Sequence, residues 1–256
     1  MTLRTDFSAP LREGRFILGT WMHIPDTFVA EIMAQTGFDF VLVDGEHAPI
    51  TAESLTTLLP AFEKFRVPVL YRVRRNAPEA IKAALDQGIA ALMVPMVNSA
   101  AEAREIVASA KYPPHGVRGI GPLRASNFYI DEAEYVASAN AETAIVAQIE
   151  SRGGLDAVEE IAAVPGIDCL YVGPADLAMS LGVKVGQLND ELVAACRRVN
   201  AAARANGIAT GIDVASLDYI PVYRELGFTL FTYGLDTGYL IDGGRATSRK
   251  LRSLFA

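Results

Sequence analysis

Several short segments of this chain bring together side chains able to do polar chemistry. Asp44-Gly45-Glu46-His47 sets an imidazole three residues after a carboxylate, with a glycine between them that permits a sharp turn. A carboxylate within reach of an imidazole fixes its tautomer and stabilises the imidazolium, so Asp44 and His47 can form an acid–base dyad. Neither His23 nor His115 sits in so close an arrangement. Arg72 and Arg74 alternate in phase along one β-rich run. A guanidinium turned into a cavity needs an anion. A keto-acid carboxylate or a developing enolate would serve, and so would a structural ion-pair partner. Arg74 and Arg75 read as a solvated rim.

Gln148 and Glu150 close another apolar run, and Gly173-Pro174-Ala175-Asp176 opens a helix. Glu150 and Asp176 together would suit a hard octahedral cation such as Mg²⁺ or Mn²⁺. The same pair would also suit an acid/base couple for glycoside hydrolysis, and Asp176 could simply cap its helix. The backbone N–H groups where Gly173-Pro174-Ala175-Asp176 opens this helix favour an anion, either a carboxylate or a phosphate. No GxxxxGK[ST] segment favours the phosphate. Asp213 ends one further run.

Something must hold these residues at one place, and the alternation of the chain supplies it. Strands are predicted at Ile17–Trp21, Phe40–Asp44, Val69–Val73, Ala91–Pro95, Ala144–Glu150, Cys169–Gly173, Ala209–Asp213 and Leu230–Gly234. Helical spacing follows each, over Thr27–Thr36, Glu53–Phe65, Pro78–Gln87, Ala100–Ala110, Leu155–Ala163, Glu191–Asn206, Leu217–Leu226 and Ile241–Phe255, with a short helix at Ala178–Leu181. Gly37, Gly88, Gly207 and Gly227 stand where left-handed C-terminal caps belong. Strict βα alternation with near-continuous apolar strands predicts an α/β fold, a (β/α)₈ TIM barrel in one domain, residues 1–256. Its chemistry would gather at the carboxyl ends of the strands, where the polar residues above lie. A doubly wound open sheet is the structural rival, weakened by the absence of GxGxxG after the first strand.

The segment KYPPHGVRGIGPLRASNFYI (Lys111–Ile130) breaks the rhythm. A loop this long reads as functional or as a contact between subunits. The chain is 51% hydrophobic and 21% charged with a net charge of −7, which excludes disorder and disfavours nucleic-acid binding. No apolar run reaches the roughly 18 residues of a membrane span. The first fifteen residues carry no signal-like apolar stretch. Cys169 and Cys196 read as reduced thiols of a cytoplasmic protein.

The segments Gly19-Thr20-Trp21, FDFVLVDGEHAP, ALMVPMV, YPPHGVRGIG, AQIES and GIDCLYVGPADLAMSLG resemble the HpcH/HpaI aldolases, the class II, metal-dependent pyruvate aldolases. The resemblance runs from about Gly14 to the C-terminus. It implies that His47, paired with Asp44, is the base and acts through a water on the metal. It implies that Arg72 stabilises the enolate, that Glu150 and Asp176 hold one divalent ion (Mg²⁺, Mn²⁺ or Co²⁺), and that Gln148 and the Gly173-Pro174-Ala175 backbone hold the pyruvyl group. Asp86 matches an acidic position that reaches a neighbour's site. The resemblance also implies a hexamer built as a trimer of dimers, with the last helix exchanged between subunits. Two departures stand out: a shorter segment between Gly121 and Arg124, and Asp213 at a position where the compared member is apolar. Both fall where the acceptor aldehyde would sit.

The reaction implied is reversible cleavage of 4-hydroxy-2-keto acids to pyruvate, or hydroxypyruvate, and an aldehyde. Alternatives are oxaloacetate decarboxylation, lysis of an acyl-CoA, and a keto-acid-binding barrel without catalysis. The lysines, Lys64, Lys82, Lys111, Lys184 and Lys250, lie away from predicted strand ends, which argues against a Schiff base. The partners implied are small keto acids and aldehydes and further copies of the chain, with neither nucleic acid nor membrane.

Overall fold

Eight parallel strands close into a barrel in chain order: β1 (Ile17–Met22), β2 (Phe40–Asp44), β3 (Val69–Arg72), β4 (Ala91–Val94), β5 (Ala144–Ile149), β6 (Cys169–Val172), β7 (Ala209–Asp213) and β8 (Leu230–Leu235), which pairs back onto β1. The computed structural model describes residues 7–255; residues 1–6, part of the charged stretch read from the sequence, and residue 256 lie outside the described residues. The helices are α1 (Ser8–Arg12), α2 (Thr27–Met33), α3 (Leu55–Phe65), α4 (Pro78–Leu85), α5 (Ala100–Ala110), α6 (Glu132–Glu142), α7 (Arg152–Asp156), α8 (Val158–Ala162), α9 (Pro174–Leu181), α10 (Asp190–Ala205), α11 (Ile220–Leu226) and α12 (Asp236–Arg252). None of them is long and apolar enough to cross a membrane, among the described residues.

The strands are apolar on both faces because each face meets a different core. In β2, Val41 and Val43 pack outward beneath the helices, while Phe40 and Leu42 point into the barrel. The same period of two runs through β3, with Tyr71 outward and Leu70 inward, and through β6, with Leu170 and Val172 outward and Cys169 and Tyr171 inward. The inward set is closed from below by α1. Phe7 and Leu11 are buried there, and the Phe7 ring meets Phe40 edge-on at 5.1 Å.

Besides the short α1, which the sequence reading lacks, three stretches depart from it. The helix expected over Leu155–Ala163 is two short helices, α7 and α8, joined at Ala157 with φ −98° and ψ 9°. Its start moves back to Arg152 because the Ser151 hydroxyl accepts the Gly154 N–H. Helix α6 was not expected, and its sequence shows why: only Tyr135 and Ala139 are buried, so no apolar stripe marks it. Helix α12 begins at Asp236 rather than Ile241, and Leu251, Leu254 and Phe255 are exposed in the single chain. All four glycines read as caps do adopt positive φ, Gly227 at 106° among them.

Candidate active site

The inward phase of the strands carries the polar residues as well as the core. Above Phe40 and Leu42, β2 ends on Asp44, and above Leu70, β3 ends on Arg72. The parallel register sets Asp44 directly beside Arg72. The Arg72 Nε donates to Asp44 Oδ1 at 2.9 Å and Nη2 to Oδ2 at 2.8 Å, a bidentate pair buried in the barrel mouth. The third guanidinium nitrogen, Nη1, lies 3.1 Å from Glu46 Oε2. Trp21, inward on β1, presents its ring 4.6 Å from the guanidinium carbon. Burial alone would raise the Asp44 carboxyl. His23, Arg72 and the Glu46 N–H outweigh that and hold it well below the usual carboxylate range.

The dyad expected between Asp44 and His47 is not formed. His47 reaches Asp44 only through its backbone N–H, at 3.4 Å, and its exposed ring lies 3.8 Å from Glu46 Oε2. The imidazole against Asp44 is His23, whose Nε2 stands 3.2 Å from Oδ2. The turn after Asp44 carries the His47 side chain outward, whereas β1 delivers His23 across the mouth. Spacing along the chain could not show this, because His23 and Asp44 meet through strand pairing. Asp236 contributes to the placement. Its buried carboxylate accepts the His23 N–H at 3.0 Å, the Ile24 N–H at 2.8 Å and the Thr237 N–H at 2.8 Å.

On the opposite wall, Glu150 follows β5. Its Oε1 accepts the Met96 N–H at 2.8 Å, and its Oε2 accepts the Gln148 side-chain amide at 2.5 Å. Met96 holds a left-handed φ of 55°, which aims that N–H. Burial pushes the Glu150 carboxyl up to about 7; Glu46 and Asp176 add to the rise, while Met96 and Arg72 oppose it. Glu46 is also raised, by burial first. Asp176 lies in the first turn of α9. A Cβ on Gly173 would fall 2.5 Å from Glu150 Oε2, so the glycine keeps the space beside that oxygen open. Gln148 Oε1 is buried without a hydrogen-bond partner, while Glu46 Oε2 has its ion pair with Arg72. Oxygen donors, two acids whose charges disfavour each other, and an unsatisfied acceptor fit a hard divalent cation. No cluster of three His, Cys, Asp or Glu ligands occurs among the described residues, so water and substrate would complete such a shell.

These walls enclose a cavity of about 220 Å³ lined by Trp21, His23, His47, Arg72, Gln148, Tyr171, Gly173, Pro174, Ala175, Asp176, Asp213 and Leu235. Asp213 ends β7, and its Oδ1 accepts Trp21 Nε1–H at 2.8 Å and the Thr232 hydroxyl at 2.7 Å. By sequence alone His23 is set aside in favour of His47, and Trp21, Glu46, Tyr171, Thr232 and Asp236 have no site role. The inward phase of the strands was the signal for Trp21, Tyr171 and Thr232.

Asp86 lies apart. It accepts from Arg118 Nη2 at 2.6 Å, while Arg118 stacks on Tyr112 at 4.5 Å. Arg124 pairs with both Glu63 oxygens, at 2.9 and 2.8 Å, and Lys111 donates to the Asn140 and Thr143 carbonyls. The cations of the long loop therefore fasten it to the barrel wall.

A family model described as HpcH/HpaI aldolase/citrate lyase matches residues 18–243. A hydroxypyruvate/pyruvate aldolase of Roseovarius nubinhibens is 37% identical, over 96% of each chain. A 4-hydroxy-2-oxo-heptane-1,7-dioate aldolase of Escherichia coli is 34% identical, over 97% of this chain and 95% of its own. The crystal structure of a family protein from Burkholderia cenocepacia J2315 superposes with a TM-score of 0.89 at 35% identity, covering 96% of this chain and 98% of that one. With a closed eight-stranded barrel, a carboxylate-lined mouth and these matches across nearly its whole length, the chain belongs to the HpcH/HpaI aldolase/citrate lyase family of carbon–carbon lyases.

Proposed function

We propose that this protein is a class II aldolase that reversibly cleaves 4-hydroxy-2-keto acids to pyruvate, or hydroxypyruvate, and an aldehyde. The observation that carries the reading is the mouth of the barrel, where Arg72, Gln148 and Asp176 line a cavity of small-molecule size and the buried Glu150 carboxylate sits behind Gln148. Glu150 and Asp176 would hold one Mg²⁺, Mn²⁺ or Co²⁺ ion. Such an ion supplies a Lewis acid for the keto-acid oxygens. Arg72, fixed by Asp44, offers a preorganised cation to the developing enolate oxygen, at no cost of reorientation during the reaction. The Gln148 amide and the backbone at the start of α9 orient the pyruvyl carboxylate. His47, exposed on the cavity wall, moves the proton between the 4-hydroxyl and solvent. A second assignment has a specific observation in its favour: His23 is the imidazole in contact with Asp44, so His23 can take that role.

The active assembly is proposed to be a hexamer, a trimer of dimers in which α12 is exchanged between subunits. Its exposed Leu240, Ile241 and Leu251 support that arrangement. Cytoplasmic residence, with Cys169 and Cys196 reduced, belongs to the same reading. Chelation is the test. Activity toward a 4-hydroxy-2-keto acid should vanish in excess chelator and return with Mg²⁺, Mn²⁺ or Co²⁺. Full activity in chelator, or trapping of a substrate–lysine adduct by borohydride, would overturn the proposal.

A further inference from the structure

The proposed chemistry uses only part of the cavity's lining. Arg72, Gln148 and the residues from Gly173 to Asp176 surround the keto acid. The remaining arc, over β7, β8 and β1, presents Asp213, Leu235 and Trp21. An aldehyde leaving or joining the enolate has this arc to occupy.

Asp213 is held there by donors whose directions are fixed. Trp21 Nε1 can only donate, and it reaches Asp213 Oδ1 at 2.8 Å. It also lies 3.1 Å from the Thr232 hydroxyl, which donates its own proton to Asp213 Oδ1 at 2.7 Å. The Thr232 proton being committed, the Tyr171 hydroxyl donates to Thr232. Every donor in this hydrogen-bond chain thus points toward Asp213, the arrangement a carboxylate acceptor requires; burial raises the carboxyl, and the Thr232 and Trp21 bonds oppose that rise. The Val214 backbone N–H also acts on this carboxyl. No side chain among the described residues donates to Oδ2, so that oxygen can still accept from a ligand in the cavity.

The charge around this arc is one-sided. Arg72 is the one Arg or Lys that lines the cavity. Its Nε and Nη2 hold Asp44, and in the proposed chemistry the rest of its guanidinium serves the enolate oxygen. No other arginine or lysine among the described residues lines the cavity to receive a second carboxylate, and Asp213 and Asp176 would oppose one. A hydroxyl meets the opposite situation, since it can donate to Asp213 Oδ2.

On the basis of the aldolase reading, we propose that Asp213 makes this site select a neutral, hydroxylated aldehyde and reject an aldehyde carrying a carboxylate. The selectivity sets this chain apart from its relative named for a heptane-1,7-dioate. Cleavage of such a substrate between carbons 3 and 4 leaves the second carboxylate on the aldehyde.

The experiment compares kcat/KM for condensation of pyruvate with glyceraldehyde and with succinic semialdehyde at saturating divalent metal. It uses the full chain, Asp213→Leu and Asp213→Asn. The native protein should favour glyceraldehyde by about tenfold or more. Asp213→Leu should shift the ratio toward the semialdehyde by about tenfold or more. Asp213→Asn keeps an oxygen for Trp21 and Thr232 while removing the charge, so it should shift the ratio the same way and guards against a folding defect in the leucine variant. A native ratio near one or favouring the semialdehyde overturns the proposal, as does a ratio unchanged in both variants. Exchange of pyruvate's methyl protons is followed in parallel. A native protein that exchanges them but condenses with neither aldehyde overturns the acceptor proposal alone, whereas no exchange at all overturns the aldolase reading beneath it.

Discussion

Arg72 is the residue on which the charge of the barrel mouth converges. Asp44, Glu46 and Glu150 all act on it and, despite burial, keep its guanidinium firmly protonated. Its role differs from that of an imidazole, and substitution separates the two. Arg72→Ala should suppress oxaloacetate decarboxylation together with aldol cleavage, since both pass through the enolate, and Arg72→Lys should restore little because it lacks the planar fork. Loss of the proton-transfer imidazole should reduce aldol cleavage by about 10²–10⁴-fold and spare decarboxylation, which removes no hydroxyl proton. His47→Ala and His23→Ala, assayed for both reactions at saturating metal, show which imidazole this is. Equal loss of both reactions in His47→Ala would mark His47 as structural. Decarboxylation retained in Arg72→Ala would remove Arg72 from the enolate.

Among the elements, the strands were the most legible part of the sequence. Their cores are short, apolar and regularly spaced, and their last inward residues include Asp44, Arg72, Gln148 and Asp213. The pairing between strands was not legible. Neighbouring strands fix which carboxylate meets which cation, so the Asp44–Arg72 register and the approach of His23 emerge only when the barrel closes. Helix α6 was hidden by its weak apolar stripe, and α1 by its brevity. Asp236 shows how a buried acid can be missed: it serves backbone N–H groups on β1's far side, at a sequence distance no motif spans. Asp236→Ala would leave buried N–H groups unpaired at about 1–3 kcal/mol each. Thermal denaturation should then show a loss of roughly 5 °C or more in Tm, with Asp236→Asn recovering part of it through its remaining acceptor oxygen. An unchanged Tm in Asp236→Ala would show that this carboxylate does not hold the β1 loop.

For the whole molecule, the open question of packing lies at α12. Asp236 is its one buried residue, and its apolar side chains face outward in the single chain. Exposed apolar surface on a helix standing off the barrel asks for a partner, which the proposed exchange supplies. A chain truncated before Ile241 should therefore sediment as a smaller oligomer or fail to remain in solution. A stable, active monomer would contradict the exchange.

The most direct test of the enolate site is deuterium exchange at pyruvate's methyl group, followed by NMR without any aldehyde present. It isolates enolate formation from acceptor binding. With Mg²⁺, Mn²⁺ or Co²⁺ added, the native protein should catalyse the exchange; in excess chelator, or in Arg72→Ala with metal, the rate should fall to that of buffer. Exchange that persists in chelator, or that survives intact in Arg72→Ala, would contradict the account.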